Sequence, residues 1–156
     1  MKMANRRKRG PHGFTLVELL IALAVLAILT ALALPAYNDH VARAMRAEAR
    51  AQLQLAAQYM HRFYAANDSY ATDRAGTSVA DIIPTDLMQS PAQGNALYRI
   101  EFGGGASEAG ATGFTLVMRP VPGSRMERDF CGALTLDASG RRGALKAGAN
   151  LDACWR

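Results

Sequence analysis

The stretch from Phe14 to Leu34 constrains this chain more than any other, because Thr15, Glu18 and Thr30 are its only residues that are not apolar. As a helix rising about 1.5 Å per residue these positions span roughly 31 Å, close to the hydrocarbon thickness of a bilayer. Ahead of them lie Lys2, Arg6, Arg7, Lys8 and Arg9, with no acidic residue up to Gly13. By the positive-inside rule that end stays in the cytoplasm and the remainder is exported. Glu18 contradicts an ordinary anchor, since a lone carboxylate within an apolar span costs on the order of 3 kcal/mol. Such a residue needs a partner.

Two plain readings compete for this stretch. A secretory signal peptide also has a basic region and an apolar region, and Ala31-Leu32-Ala33 supplies an A-x-A cleavage site; a single-span anchor is the other. Neither accounts for a glycine directly before a phenylalanine or for a glutamate five residues beyond that glycine. Gly13-Phe14-Thr15-Leu16-Val17-Glu18-Leu19-Leu20 after a short basic leader resembles the type III signal of type IV prepilins. The resemblance implies that a prepilin peptidase cuts between Gly13 and Phe14 and N-methylates Phe14. Glu18 would then be the fifth residue of the mature chain, and its implied assembly partner is the N-terminal amine of a neighbouring subunit inside a filament. Opposite charges attract strongly in a medium of low dielectric, where leaving either one unpaired is costly.

Cleavage there changes what the composition says. The chain carries a formal net charge of +5, but the leader holds five of the eighteen Lys and Arg residues and none of the thirteen acidic ones. The mature chain is formally neutral, so the basic pI reports a discarded topology signal and gives no support to a nucleic-acid partner. The expected organisation is a leader over 1–13, a long helix over 14–66 and a globular β head over 67–156.

Within the helix, Pro35 removes one backbone donor and is expected to kink the run without ending it. The segment 14–34 serves as membrane span and filament core, and 38–66 is amphipathic. An apolar stripe through Val41, Met45, Ala49, Leu53, Ala56, Met60 and Phe63 is spaced by four, four, four, three, four and three, one face of an α-helix. Arg43, Arg46, Arg50, Gln54, Gln58 and Arg62 fall on other faces. Tyr59 and Tyr64 read as core together with Met45, Met60 and Phe63. Asn67-Asp68-Ser69 ends the run. A head of this size cannot bury the whole helix, so its first half must meet lipid or other copies of itself.

Residues 70–91 read as an irregular connection with one short turn around Ile82 to Met88. Strands follow at Ala96 to Phe102 and Gly113 to Arg119, with Tyr98, Ile100, Phe102, Phe114, Leu116 and Met118 inward and Val117 outward. Gly103-Gly104-Gly105 begins the turn between them. Cys131 to Leu136 is a third strand and Arg142 to Leu145 a short fourth. The fold class is α+β, a long N-terminal helix packed on an antiparallel meander of three to four strands. Cys131 and Cys154 lie in the exported part, where disulfides persist, and are expected to pair. The tail, Cys131-Gly132-Ala133-Leu134-Thr135-Leu136-Asp137 with Gly140, Arg141 and Cys154-Trp155-Arg156, is similar to the PilE-like minor pilins, and the loop between its cysteines resembles their D-region.

Catalysis finds no foothold in this pattern. His40 and His61 lack metal-ligand spacing and read as solvated helix surface; no nucleophile elbow or phosphate loop appears. No catalytic residue, metal or cofactor is assigned. Arg125, Arg128, Arg141, Arg142 and Lys146 come from loops that a disulfide can gather, and some minor pilins of the resembled group act as DNA receptors in transformation. These residues are candidate DNA contacts or an ordinary solvated surface. The partners implied by the resemblance are other pilin subunits, prepilin peptidase, the inner-membrane assembly machinery and lipid before assembly, with DNA as a further candidate. The implied locations are the inner membrane and then an extracellular pilus serving motility, adhesion or DNA uptake. A pseudopilin of type II secretion shares the signal, although the cysteine-paired tail favours a pilus.

Overall fold

The computed structural model describes residues 14–103 and 109–156. The leader with Gly13, and Gly104 and Gly105, lie outside the described residues. The chain divides into two units, residues 1–39 and 40–156.

Every described residue of the first unit is exposed. It carries the first part of α1 (Leu16–Asn67), the helix whose apolar stretch is long enough to cross a membrane. Pro35 lies within α1. The hydroxyl of Thr30 donates to the Leu26 carbonyl at 2.7 Å, so this polar side chain is satisfied inside its own helix and needs no outside partner.

The second unit is the head. Its sheet is an antiparallel meander in the order β1 (Gln89–Ser90), β2 (Tyr98–Phe102), β3 (Thr115–Pro120), β4 (Leu134–Asp137) and β5 (Arg142–Ala144). Register pairs Ile100 with Met118 and Leu116 with Leu136, placing the larger apolar side chains on one face. Against that face α1 lays Ala49, Leu53, Ala56, Met60 and Phe63, the stripe expected from spacing, and the two surfaces share one core with Tyr98, Leu134 and both cysteines. Fully burying a side chain such as Leu53 or Met60 contributes about 1.5–3 kcal/mol. The helix ends where polar residues take over its last carbonyls. Asn67 Nδ2 donates to Phe63 O at 3.0 Å, and Asp68 takes a left-handed conformation (φ 56°).

The fold class expected from the sequence is the one present, with five strands in place of three or four. The added strand, β1, is two residues long, too short to carry an alternating pattern. The connection before it holds two short turns, α2 (Val79–Ile82) and a 3₁₀ turn at Thr85–Met88, and the C-terminal segment forms α3 (Leu151–Trp155). Two side chains differ in burial from what alternation and spacing suggest. Val117 keeps its expected outward face, opposite Glu101 and Thr135, yet is buried there between the flanking strands. Tyr64 is exposed at 37 % and stacks on Tyr70 at 4.4 Å between ring centroids.

Cys131 and Cys154 are joined and fully buried. Replacing both by serine should lower head stability by about 3 kcal/mol, from the entropy that closing a loop of this length removes from the unfolded chain. The shift in urea midpoint between the variant and the oxidised protein measures it.

Candidate functional site

At the N-terminus the helix is capped by its own sequence. Glu18 N–H donates to Thr15 Oγ1 at 3.2 Å, and Thr15 N–H donates to Glu18 Oε2 at 3.4 Å. This reciprocal arrangement is a capping box, in which two backbone donors of the first turn are satisfied by side chains. The signal is present in the sequence as a threonine three residues before a glutamate. Phe14 stands exposed beside it.

The second region centres on the connection from β3 to β4. Arg46, expected on an outer helix face, is buried instead, and its guanidinium forms an ion pair with the buried Asp129. Arg46 Nε donates to both Asp129 oxygens, at 3.2 and 3.1 Å. Tyr98 Oη donates to Asp129 Oδ2 at 2.9 Å. Burial, with the Asp129 carboxylate beside it, pushes the Tyr98 hydroxyl far above the usual phenol range, so it remains a donor. Lys146 Nζ donates to the Asp129 backbone carbonyl at 3.2 Å, and the Phe130 ring lies 4.4 Å from the Arg46 guanidinium carbon. Asp129 thus ties together α1, β2 and the segment after β5. It was not a sequence candidate.

The five predicted basic residues fare differently. Arg125 and Arg128 are exposed on the β3–β4 connection. Arg141 pairs with Asp137 at 2.7 Å, Arg142 lies 5.2 Å from the Trp155 ring, and Lys146 holds Asp129. Arg50, part-buried on α1, donates to Cys154 O at 2.9 Å. Burial first, then the positive charges of Arg46 and Arg142, lower the Arg50 pKa. His61, expected as solvated surface, is exposed but contacts Tyr70 Oη through Nδ1 at 3.1 Å.

Asp137 organises the turn between β4 and β5. Partial burial alone would raise its pKa, but bonds from Ser139 and Arg141 outweigh this and hold it at about 2. A depressed carboxyl contributes stability above its unfolded value of about 3.9, lost as pH falls towards the folded value. Asp137→Asn should therefore cost on the order of 1 kcal/mol near neutrality. Its melting temperature should converge with wild type between about pH 4 and pH 2.

An apolar, charge-capped N-terminal helix and a disulfide-closed antiparallel head define a filament subunit of the type IV pilin class. The N-terminus matches the prokaryotic N-terminal methylation motif over residues 8–34. The chain belongs to the family described as type IV minor pilin ComP, DNA uptake sequence receptor, which matches residues 35–135. Fimbrial protein Q of Moraxella bovis is 27 % identical over 78 % of this chain and 75 % of its own. Fimbrial protein EcpC of Eikenella corrodens is 55 % identical, over 27 % of this chain and 28 % of its own. The crystal structure of the Neisseria meningitidis non-core minor pilin PilV aligns with a TM-score of 0.49 at 20 % identity, over 72 % of this chain and 94 % of that one. Family membership implies assembly with other pilin subunits. The methylation motif and the apolar helix mark a membrane-held precursor that enters a pilus.

Proposed function

We propose that this protein is a minor pilus subunit whose head contacts duplex DNA during uptake. The observation that carries this reading is the family match over residues 35–135, which includes the β3–β4 connection with the exposed Arg125 and Arg128. Phosphates are recognised by arginines free to reach them, and neutralising each one releases condensed counterions. Arg141, Arg142 and Lys146 lie beyond the matched stretch and are engaged within the head; their part in binding is secondary.

In the same reading the leader over 1–13 is removed between Gly13 and Phe14, and Phe14 is methylated by prepilin peptidase. The leader faces the cytoplasm and the head the periplasm until the assembly machinery extracts the subunit. Residues 14–66 then serve as anchor and filament core, and 67–156 as the presented head.

The processed chain beginning at Phe14, carried in nonionic detergent, can be titrated with duplex DNA at a series of salt concentrations. Log K should fall linearly with log salt. Absence of salt-dependent binding would sink the DNA reading.

A further inference from the structure

We infer that the two flanks of α1 in the head are the halves of one contact between copies, the acidic flank of one copy seating on the basic flank of a second. This goes beyond the DNA reading and does not depend on it.

The helix itself separates the flanks. At 3.6 residues per turn each residue advances about 100° around the axis, so Arg50 lies about 60° to one side of Leu53 and Gln52 about 100° to the other. Leu53 is fully buried and marks the line of the core. Glu48, Gln52, Leu55 and Tyr59 are spaced by four, three and four, a stripe on the Gln52 side. The connection after α1 runs beside that stripe: Gln52 Nε2 donates to Asp86 O at 2.5 Å, and Tyr59 Oη to Ile82 O at 3.5 Å. Exposed on this flank are Glu48, Asp81 and Asp86, together with Leu55 at 47 % and Ile82 at 40 %. Arg62, one turn past Tyr59, ends the acidic stretch.

The other flank is cationic. Arg50 reaches Cys154 O in α3, and its pKa is lowered by burial and then by the positive charges of Arg46 and Arg142. Asp129 neutralises Arg46. Among the described residues Arg50 and Arg142 make no ion pair, and neither do Glu48, Asp81 and Asp86. Leu151 stands exposed in α3, where the charges of the exposed Asp152 and Arg156 offset each other.

A carboxylate arriving at Arg50 and Arg142 relieves their mutual repulsion through charge-assisted hydrogen bonds. Leu55 or Ile82 placed against Leu151 also leaves water. Both halves of the charge pattern belong to one chain, so a second copy satisfies them. Because they lie on different flanks, the contact is heterologous and repeats from copy to copy, as in a filament. Exposed pairs add little affinity singly; the charges set orientation and choice of neighbour.

Cross-linking in cells that assemble the full chain tests this. Copies carrying Asp86→Cys and copies carrying Arg142→Cys are made together or singly and treated with a short bismaleimide, to which the buried disulfide is inert. The mixture should yield a cross-linked dimer, and either variant alone far less. Asp81→Arg with Asp86→Arg should lower recovery in sheared pili by about tenfold, since juxtaposed like charges are strongly unfavourable. Coexpression of an Arg142→Glu copy should restore part of that recovery. Arg99→Glu, exposed on the outer face of β2, should leave recovery unchanged. Equal cross-linking of a variant with itself, or no dimer from the mixture while pili form, would overturn the flank-to-flank contact. Cross-linking to a different pilin would overturn the second copy as occupant. If Arg142→Glu restores nothing while both variant heads still melt cooperatively, the charge pairing is overturned. None of these outcomes bears on DNA binding, which is measured separately.

Discussion

Arg46→Leu is expected to destabilise the head by about 3–5 kcal/mol, the usual cost of breaking a buried ion pair by removing one partner. The size follows from what remains. Asp129 is only 7 % exposed, and without the guanidinium its carboxylate retains the Tyr98 hydroxyl as its side-chain donor, too little to replace hydration. The stacking of Arg46 on Phe130 is lost as well, about 0.5–1 kcal/mol. Replacing both charges, as Arg46→Leu with Asp129→Leu, should recover part of the loss because no buried charge is then unpaired. Adding Tyr98→Phe should recover more, since the phenol would otherwise be an orphan donor. Urea unfolding of the full chain in detergent reads the series through its midpoints. A single Arg46→Leu variant within 1 kcal/mol of wild type, set against the 3–5 expected of a buried pair, would show that the carboxylate finds water.

The same residue marks where sequence reading stops. The stripe from Ala49 to Phe63 was legible because apolar spacing is a local property, and the helix buries what that spacing selects. The alternation in β2 fixed its inward residues for the same reason. Periodicity places Arg46 off the apolar stripe because it treats any arginine as polar, whereas its partner Asp129 lies 83 residues further on. Nothing near either residue signals the other, and only the closing of the meander brings them together. Likewise the basic residues of the tail could be counted from sequence but not sorted. Whether Arg141 faces solvent alone or pairs with Asp137 depends on the turn between them. Thr15 is the opposite case, a capping signal local enough to be fully written in the sequence.

Glu18 caps its own helix, and the charge pair we propose for it in assembly can be separated from that role by substitution. Glu18→Ala should reduce incorporation into pili by roughly a hundredfold, if the charge pair with a neighbouring amine offsets the on-the-order-of-3 kcal/mol cost of a carboxylate in an apolar span. Alanine removes the charge and the bond from Thr15 N–H together. Glu18→Gln divides them, because a glutamine carbonyl accepts the same capping bond without carrying a charge. Charge pairing predicts that glutamine fails as badly as alanine, while a purely helical role predicts that it assembles. Thr15→Val supplies the reverse case, losing the acceptor for Glu18 N–H and about 1 kcal/mol of capping while leaving the carboxylate in place. It should still be incorporated. Quantifying each variant in sheared pili against the membrane fraction gives the comparison, and efficient incorporation of Glu18→Gln would remove the charge pair from the assembly mechanism.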